Sequence, residues 1–272
     1  MGQPLGGQLS PDALRRSEVR RWRVPQLELV HHRRVGQEWI PHWHAEWSIG
    51  AIINGDCQCS IGGRPVHGKA GDLVAVAPET VHTGALISEK TADAVSVVML
   101  YVAPEWFASA RLPPPAGSGF IPAPDLAAAA GHLQSGAQVQ AWLHHAIEFL
   151  GKAWSGQAQG PNPSDAVREV LLAFEQGVLA GESSVARLAE RCHISRERLH
   201  RVIQQWAGMS PSHYLRAYRV NKARAMLLGG ETLATVAFAC GFSDQAHFTR
   251  LFRRSFGYTP GDLAASVAKQ SG

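Results

Sequence analysis

Val185-Ala-Arg-Leu188-Ala189-Glu-Arg-Cys192-His-Ile194-Ser195 and Leu233-Ala-Thr-Val236-Ala237-Phe-Ala-Cys240-Gly-Phe242-Ser243 are one short helix and tight turn written twice. Leu188, Ala189, Cys192, Ile194 and Ser195 each have a counterpart 48 positions later. Beyond the turn, Leu199, Gly208 and Pro211 answer to Phe248, Gly257 and Pro260 at a spacing of 49, so the second copy carries one extra residue at the start of its second helix. A repeat of this period marks a duplicated supersecondary unit. Each unit reads as a helix, a turn and a second helix rich in Arg, the form that enters a DNA major groove.

Charge is distributed to match. The 272 residues carry a net +4, but residues 183–272 hold 13 Lys and Arg against 5 Asp and Glu. That is +8 behind a front part of −4, the footprint of a DNA-binding module joined to something else. Hydrophobic residues at 45% and charged residues at 18% describe a globular chain long enough for two cores. The N-terminus has no apolar signal region and no run is long and apolar enough to span a membrane, so the expected location is the cytoplasm. Cys57, Cys59, Cys192 and Cys240 form no disulfide framework. Cys57 and Cys59 fall on one face of a strand, where they read as small apolar residues, with a redox or metal role as the alternative.

In a reading helix the inward face is apolar and the outward face meets bases and phosphates. In the first unit Leu199, Val202, Ile203 and Trp206 point inward, and Arg196, Glu197, His200, Arg201 and Gln204 point outward. In the second, Phe248, Leu251, Phe252 and Phe256 point inward, with Gln245, Ala246, Thr249, Arg250 and Arg253 outward. Arg bridges guanine O6 and N7, Gln pairs with adenine, and Ala or Thr methyls meet thymine. Glu197 has two readings, accepting from cytosine N4 or pairing with Arg201. Arg198, Arg254 and the series Arg216, Arg219, Lys222 and Arg224 are expected on phosphates, which position without specifying. The helix expected over 210–228 is about 28 Å long at roughly 1.5 Å per residue, approaching one turn of B-DNA.

Upstream, residues 1–24 read as an N-terminal arm with Arg20, Arg21 and Arg23 either solvated or touching DNA. Short β-prone runs follow at Leu27-Glu-Leu-Val, Trp47-Ser-Ile-Gly-Ala-Ile-Ile, Leu73-Val-Ala-Val and Val95-Ser-Val-Val-Met-Leu-Tyr-Val. Turns at Asn54-Gly55 and Gly62-Gly63 separate them, which predicts a small barrel or sandwich over 25–103. Residues 104–163 read as helical segments, over 125–135 and 138–154, and a linker. The second helix carries a stripe of Val139, Trp142, Leu143, Ala146, Ile147 and Leu150, which either docks on the barrel or meets a second copy of the chain. Residues 164–268 form the helical domain, opening on a helix over 165–179 with Ser164 as its cap. The fold class is thus α+β in two domains, a β-barrel with trailing helices and an all-α domain with two helix-turn-helix units.

Leu215-Arg-Ala-Tyr-Arg-Val-Asn-Lys-Ala-Arg-Ala-Met-Leu-Leu, followed by Val236-Ala-Phe-Ala-Cys-Gly-Phe-Ser-Asp-Gln-Ala-His-Phe-Thr-Arg-Leu-Phe-Arg-Arg-Ser-Phe-Gly-Tyr-Thr-Pro, closely resembles the signature of AraC-type transcriptional regulators. The resemblance puts Glu197, His200 and Arg201 at reading positions of the first unit, and Gln245, Ala246, Thr249 and Arg250 in the second. Gly261-Asp-Leu-Ala follows Pro260 where such chains often carry Arg. Pro41-His42-Trp-His44-Ala-Glu46-Trp-Ser48 and the segment from Gly71 to His82 resemble the cupin barrel that senses ligands in these regulators. Alternation along a strand places His42, His44, Glu46 and Ser48 on one face. Metal-binding cupins carry a Glu four residues after the second His, a position held here by Ser48.

The leading expectation is an organic-ligand pocket of His42, His44, Glu46, Trp47 and His82, with no metal or other cofactor. The alternatives are a metal held by His42, His44 and His82, or a purely structural set. The resemblance implies a sequence-specific regulator or activator of bacterial type, not an enzyme. Its partners would be promoter double-stranded DNA, a small-molecule effector, RNA polymerase and, optionally, a second copy of the chain. The competing readings are a metal-dependent cupin sensor or enzyme fused to a DNA-binding domain, and a constitutive regulator with a structural barrel. A docked state in which the acidic front masks the basic DNA surface is a further expectation.

Overall fold

Alternating strands and tight turns build the first half of the chain, and 3.6-residue periodicity builds the second. The computed structural model describes residues 18–24, 26–34, 38–87, 95–154 and 164–268. Strands β1 (Glu18–Val24), β2 (Leu27–Arg34), β3 (Glu38–His42), β4 (Trp47–Asn54), β5 (Asp56–Ile61), β6 (Arg64–Lys69), β7 (Asp72–Val76), β8 (His82–Ile87) and β9 (Val95–Val102) come first. Helix α1 (Pro104–Ala110), strand β10 (Gly119–Pro122) and helices α2 (Pro124–Ala130) and α3 (Gly136–Ala153) follow. One antiparallel sheet runs β1-β2-β9-β4-β7-β10 and the other β3-β8-β5-β6. They pack face to face, since Ile52, Val95 and Val97 of the first share a core with Cys57 and Leu86 of the second.

The larger sheet is buried on both faces, which is why β4, β7 and β9 read as nearly unbroken apolar runs. Trp47, Ile49, Ala51, Leu73, Ala75, Val98 and Leu100 point away from the second sheet, into a core with Trp106, Phe107, Trp142, Leu143 and Leu150 of α1 and α3. Ser48, Ile52, Val74, Val76, Val97 and Met99 alternate with them and face the interior between the sheets. The whole stripe of α3 is thereby consumed. Val139, Trp142, Leu143, Ala146, Ile147 and Leu150 are all buried against the barrel, so this face is closed to a second copy. Ser135 caps α3 in a capping box with Gln138.

Three boundaries differ from the sequence reading. Glu18–Val24 is not an arm but edge strand β1, paired along its length with β2 and bringing Arg20 opposite His31. The barrel also does not end at 103. Strand β10 returns from the helical segment to pair with β7, and its Phe120 enters the barrel interior. The run 41–48 is broken, because β3 stops at His42 and β4 starts at Trp47, so alternation does not carry through 43–46.

The C-terminal domain comprises α4 (Asp165–Leu179), α5 (Val185–Arg191), α6 (Arg196–Ala207), α7 (Pro211–Leu228), α8 (Leu233–Ala239), α9 (Gln245–Phe256) and α10 (Pro260–Ala268). The repeat is realised residue by residue. Ser184 and Thr232 cap the first helices through their side chains, and Cys192 and Cys240 end them. The left-handed turn position is His193 in one unit and Gly241 in the other. Ser195 caps α6, whereas Asp244, not Ser243, caps α9, and this locates the extra residue in the turn itself. Ser164 precedes α4 without a side-chain cap bond.

Both reading helices end in a left-handed glycine that abuts the barrel. Gly208 (φ 67°) lies against Gly63, where an added Cβ would stand 3.1 Å from its Cα. Gly257 (φ 77°) lies under Trp39 and His32, which would stand 2.7 and 2.8 Å from such an atom. Gly181 has φ 88° but open space around it. A residue other than Gly at such φ costs roughly 1–2 kcal/mol. We therefore expect Gly181→Ala to lose about that amount of stability and Gly257→Ala clearly more, because the methyl also collides across the domain boundary. Thermal unfolding of the two variants checks this, and equal losses would show that the boundary contact is loose.

Candidate functional site

The reading faces are laid out as the periodicity predicts, with two exceptions. On α6, Leu199 and Ile203 are fully buried while Arg196, Glu197, Arg198, His200, Arg201 and Gln204 are exposed. Trp206 is 38% exposed instead of inward, and Ala207 takes the core position. On α9, Phe248, Phe252 and Phe256 are buried, Gln245, Ala246, Arg250 and Arg253 are exposed, and Thr249 is half-buried. The Glu197 carboxyl is held below its usual range by hydrogen bonds from its own N–H and the Ser195 hydroxyl, with Arg196 and Arg201 adding to this. It stands exposed in the first turn of α6. Asp244 is likewise lowered, accepting from the His247 N–H at 2.6 Å.

The other exception is Arg224. It is 4% exposed and makes no surface for phosphate. Its guanidinium reaches out of α7 into the barrel, bonding Glu28 at 2.8 Å through Nη2 and Glu46 through Nη1, while Nε donates to the Tyr258 hydroxyl at 3.3 Å. It also lies 5.2 Å from the centroid of the Tyr101 ring and 5.6 Å from that of Phe256. The two carboxylates hold its pKa well above its usual value against the pull of burial. Charge of the α7 series alone cannot tell an outward Arg such as exposed Arg216 from this inward one.

The barrel also completes both helix-turn-helix cores. Trp43 and Val81 join Leu188, Leu199 and Ile203 in the first, and the Trp43 ring stacks on Tyr214 at 4.5 Å. Val30 and Tyr101 join Phe248, Phe252 and Phe256 in the second. Docking thus uses the C-terminal ends of the reading helices and the buried face of α7. The outward residues stay in solvent, so the expected masking of the DNA surface by the barrel is not what the interface does.

Between the sheets lies a cavity of about 660 Å³, mouth included. Its wall is largely apolar, with Ile52, Val74, Val97, Met99 and Phe120 among its members, and His42, Ser48, His82 and Tyr101 supply polar atoms. His42 and His44 are 4% and 2% exposed, and their rings stand 4.3 Å and 4.9 Å from that of His82. Each donates Nδ1–H to a carbonyl two residues away: His42 to Ile40, His44 to Glu46 and His82 to Thr80, all at 2.8 Å. Burial pushes all three imidazoles down, His82 to about 4, so they are neutral. The Ser48 hydroxyl donates to His44 Nε2 at 2.9 Å.

Glu46 and Trp47 do not line this cavity. Glu46 turns to Arg224, and Trp47 faces the opposite side of its sheet among the helices, as the break at 43–46 requires. Cys57 and Cys59 do line it, with free sulfurs 3.0 Å apart. Their hydrogen bond lowers the pKa of Cys57 and raises that of Cys59.

The AraC-like ligand binding domain family matches residues 24–172. The chain belongs to the AraC family. A second family match, to a helix-turn-helix domain, covers residues 188–266. The HTH-type transcriptional activator RhaS of Escherichia fergusonii is 37% identical over 106 residues, 39% of this chain and 38% of that protein. RhaS of Escherichia coli (strain SE11) is 40% identical over 95 residues, 35% and 34% of the two chains. The matched stretch therefore spans under two-fifths of these relatives. ToxT of Vibrio cholerae strain SCE256, solved with an unsaturated fatty acid bound, shares the fold across 89% of this chain and 95% of its own, with TM-score 0.57 and 13% identity. Among the described residues of this AraC-family chain, no helix is long and apolar enough to cross a membrane.

Removing one partner of a buried ion pair costs about 3–5 kcal/mol, because the other charge is left unpaired. Arg224→Met should lose stability on that scale in thermal or denaturant unfolding. In a double-mutant cycle with Glu46→Gln the losses should be less than additive, and additive losses would refute the pairing.

Proposed function

We propose that this protein is a cytoplasmic transcriptional regulator that reads promoter DNA with α6 and α9 and answers to a small effector bound between the barrel sheets. The observation that carries this reading is the division of each reading helix. Its outward residues stand in solvent, and its C-terminal glycine and last core residues are pressed on the barrel wall. Anything that alters the barrel near His42 and Trp39 therefore acts on the seating of α9, since the Phe256 ring packs 5.7 Å from that of His42. For an effector to switch the protein it must favour one such seating over another.

Base recognition falls to Arg196, Glu197, His200, Arg201 and Gln204 in the first unit and to Gln245, Ala246, Thr249, Arg250 and Arg253 in the second. Helix α7, about 27 Å long by roughly 1.5 Å per residue, holds the two heads on one chain, so one protomer suffices for a two-part site. By analogy with the activator RhaS the output is activation, and RNA polymerase is the expected partner. No catalytic step is assigned to the barrel. The cavity suits a small molecule with an apolar body and a hydrogen-bond-donating head. With every Nδ1–H already committed to a carbonyl, the neutral histidines present Nε2 as an acceptor.

Gel-shift titrations against a site selected from random DNA test the assignment. Arg201→Ala and Arg250→Ala should each cost about 1–3 kcal/mol and relax base preference at two separate positions. Arg198→Ala should weaken all sequences alike and lower the salt slope by about one. Loss of both preferences from one substitution, or of neither, would contradict the two-head reading. For the cavity, Val97→Trp should abolish thermal stabilisation by any small molecule that stabilises the full chain, in a variant that circular dichroism shows to be folded. Stabilisation that survives the substitution would move the effector elsewhere.

A further inference from the structure

We propose that Cys57 and Cys59 form a dithiol site that a small uncharged peroxide converts to a disulfide, and that this bond alters the seating of α9. The chemistry stands on the geometry of the pair, and only its consequence for DNA rests on the reading of α9 given above.

Three observations carry the site. First, the strand itself holds the two thiols together. Residues two apart on β5 share a face, and both of these line the interior between the sheets. Their free sulfurs stand 3.0 Å apart. At roughly 3.2–3.4 Å per residue their Cα atoms are about 6.4–6.8 Å apart, the wide end of the span of about 4.4–6.8 Å that a disulfide bridges. Closing the bond therefore asks only for a small contraction of β5.

Second, the surroundings select the oxidant. No Lys, Arg, Asp or Glu lines the cavity, and its His42 and His82 are held neutral by burial. A charged oxidant would lose its hydration there without a counter-charge, whereas hydrogen peroxide would not. The Cys59 thiol favours a thiolate at Cys57, and the same hydrogen bond, with burial, raises Cys59. Cys57 is accordingly the nucleophile. Its sulfur attacks one peroxide oxygen, the O–O bond breaks, and the departing hydroxide takes up the proton that Cys57 released. Cys57 is then a sulfenic acid and the first water is formed. The Cys59 sulfur attacks that of Cys57, the S–O bond breaks, and the hydroxide leaves with the Cys59 proton as a second water. The two thiols lose two electrons, and the peroxide gains them.

Third, the pair reaches α9 through one ring. A Cβ added to Gly84 would stand 3.8 Å from the Cys59 sulfur and 3.0 Å from the Trp39 ring, so both occupy one notch. The indole nitrogen of Trp39 would stand 2.7 Å from a Cβ on Gly257, at the end of α9. Drawing Cys59 toward Cys57 thus changes the packing beneath the ring on which α9 rests. Cys192 and Cys240 lie in the separate helical cores with thiols raised by burial, and they serve as internal controls.

The test treats reduced full-length protein with hydrogen peroxide, removes the excess with catalase and unfolds the chain in iodoacetamide. Mass spectrometry should find the peptide holding Cys57 and Cys59 lighter by two hydrogens and unalkylated, with Cys192 and Cys240 alkylated. Dithiothreitol should reverse this. Cys59→Ser should stop at a sulfenic acid that dimedone traps on Cys57, while Cys57→Ser should give neither product at the same dose. Circular dichroism shows whether each variant is folded, and the wild-type measurement needs no variant. Gel shifts then compare the reduced and disulfide forms. The expected change in DNA affinity is about fivefold or more, the low end of allosteric couplings, reversed by dithiothreitol and absent in Cys57→Ser. A disulfide between chains, or oxidation of Met99, Cys192 or Cys240 with the pair left alkylated, would overturn the site. Equal DNA affinity in the two forms would overturn its action on α9. Reduced protein that selects no DNA would instead count against the regulator reading and leave the dithiol chemistry standing.

Discussion

One guanidinium holds the molecule in this arrangement. Arg224 leaves α7, crosses the domain boundary and ends between Glu28 of β2 and the Glu46 side chain, with the Tyr101 and Phe256 rings beside it. A cation so deep in the protein is tolerable only because two carboxylates and a phenol hydroxyl satisfy it, and its removal would strand those carboxylates. A buried pair of this kind is weak support for overall stability but sets relative orientation, because the planar fork accepts few geometries. The barrel residues that complete the two helical cores, Trp43, Val81 and Val30 among them, are apolar and impose no such angle. The stacking of Trp43 on Tyr214 and the seat of Gly257 under Trp39 then follow from where Arg224 is pinned.

The duplication explains why that boundary has two points of support. Each helix-turn-helix unit needs further helices to close its core, α4 and α7 for the first and α7 and α10 for the second. Each unit still leaves one side that is covered only by the barrel. Trp43 and Val81 cover one, Val30 and Tyr101 the other. The isolated C-terminal domain would expose these faces, so its two units are held in register partly by a surface that belongs to the sensing half. This gives the barrel leverage over the distance and angle between the reading heads without touching a base-reading residue.

Much of this was legible in the chain. The 48- and 49-residue spacings located both units, and the caps at Ser184, Ser195, Thr232 and Asp244 bear them out. The apolar runs of β2, β4, β7 and β9 were equally plain, since both faces of that sheet are covered. What escaped was whatever depends on tertiary partners. Glu18–Val24 is too rich in Arg to read as a strand, and it forms one only because β2 offers an edge. Short β10 gave no periodicity, and β5, β6 and β8 mix polar and apolar positions without a dominant face. At the cavity, His42 and His82 were found from the sequence, whereas His44 sits beside His82 outside the lining, and Glu46 and Trp47 were assigned to it by an alternation that the break at 43–46 destroys. The signal that relocates Glu46 lies 178 positions away, in a lone Arg on the apolar side of α7.

That break is also what joins the two functional regions. The connection 43–46 is four residues long, and three of them are committed, Ala45 alone being exposed. Trp43 enters the first helix-turn-helix core, His44 turns into the histidine cluster, and the Glu46 side chain goes to Arg224. The Glu46 carbonyl meanwhile accepts the His44 Nδ1–H that fixes that ring. A displacement of His44 by a ligand therefore cannot be absorbed locally, because its anchor is the backbone of the residue that holds Arg224. Packed interfaces of this type switch between discrete arrangements more readily than they deform. The shortest route from cavity to reading heads is this four-residue bridge, and it passes through both helix-turn-helix units at once, by Trp43 to the first and by Arg224 to the second.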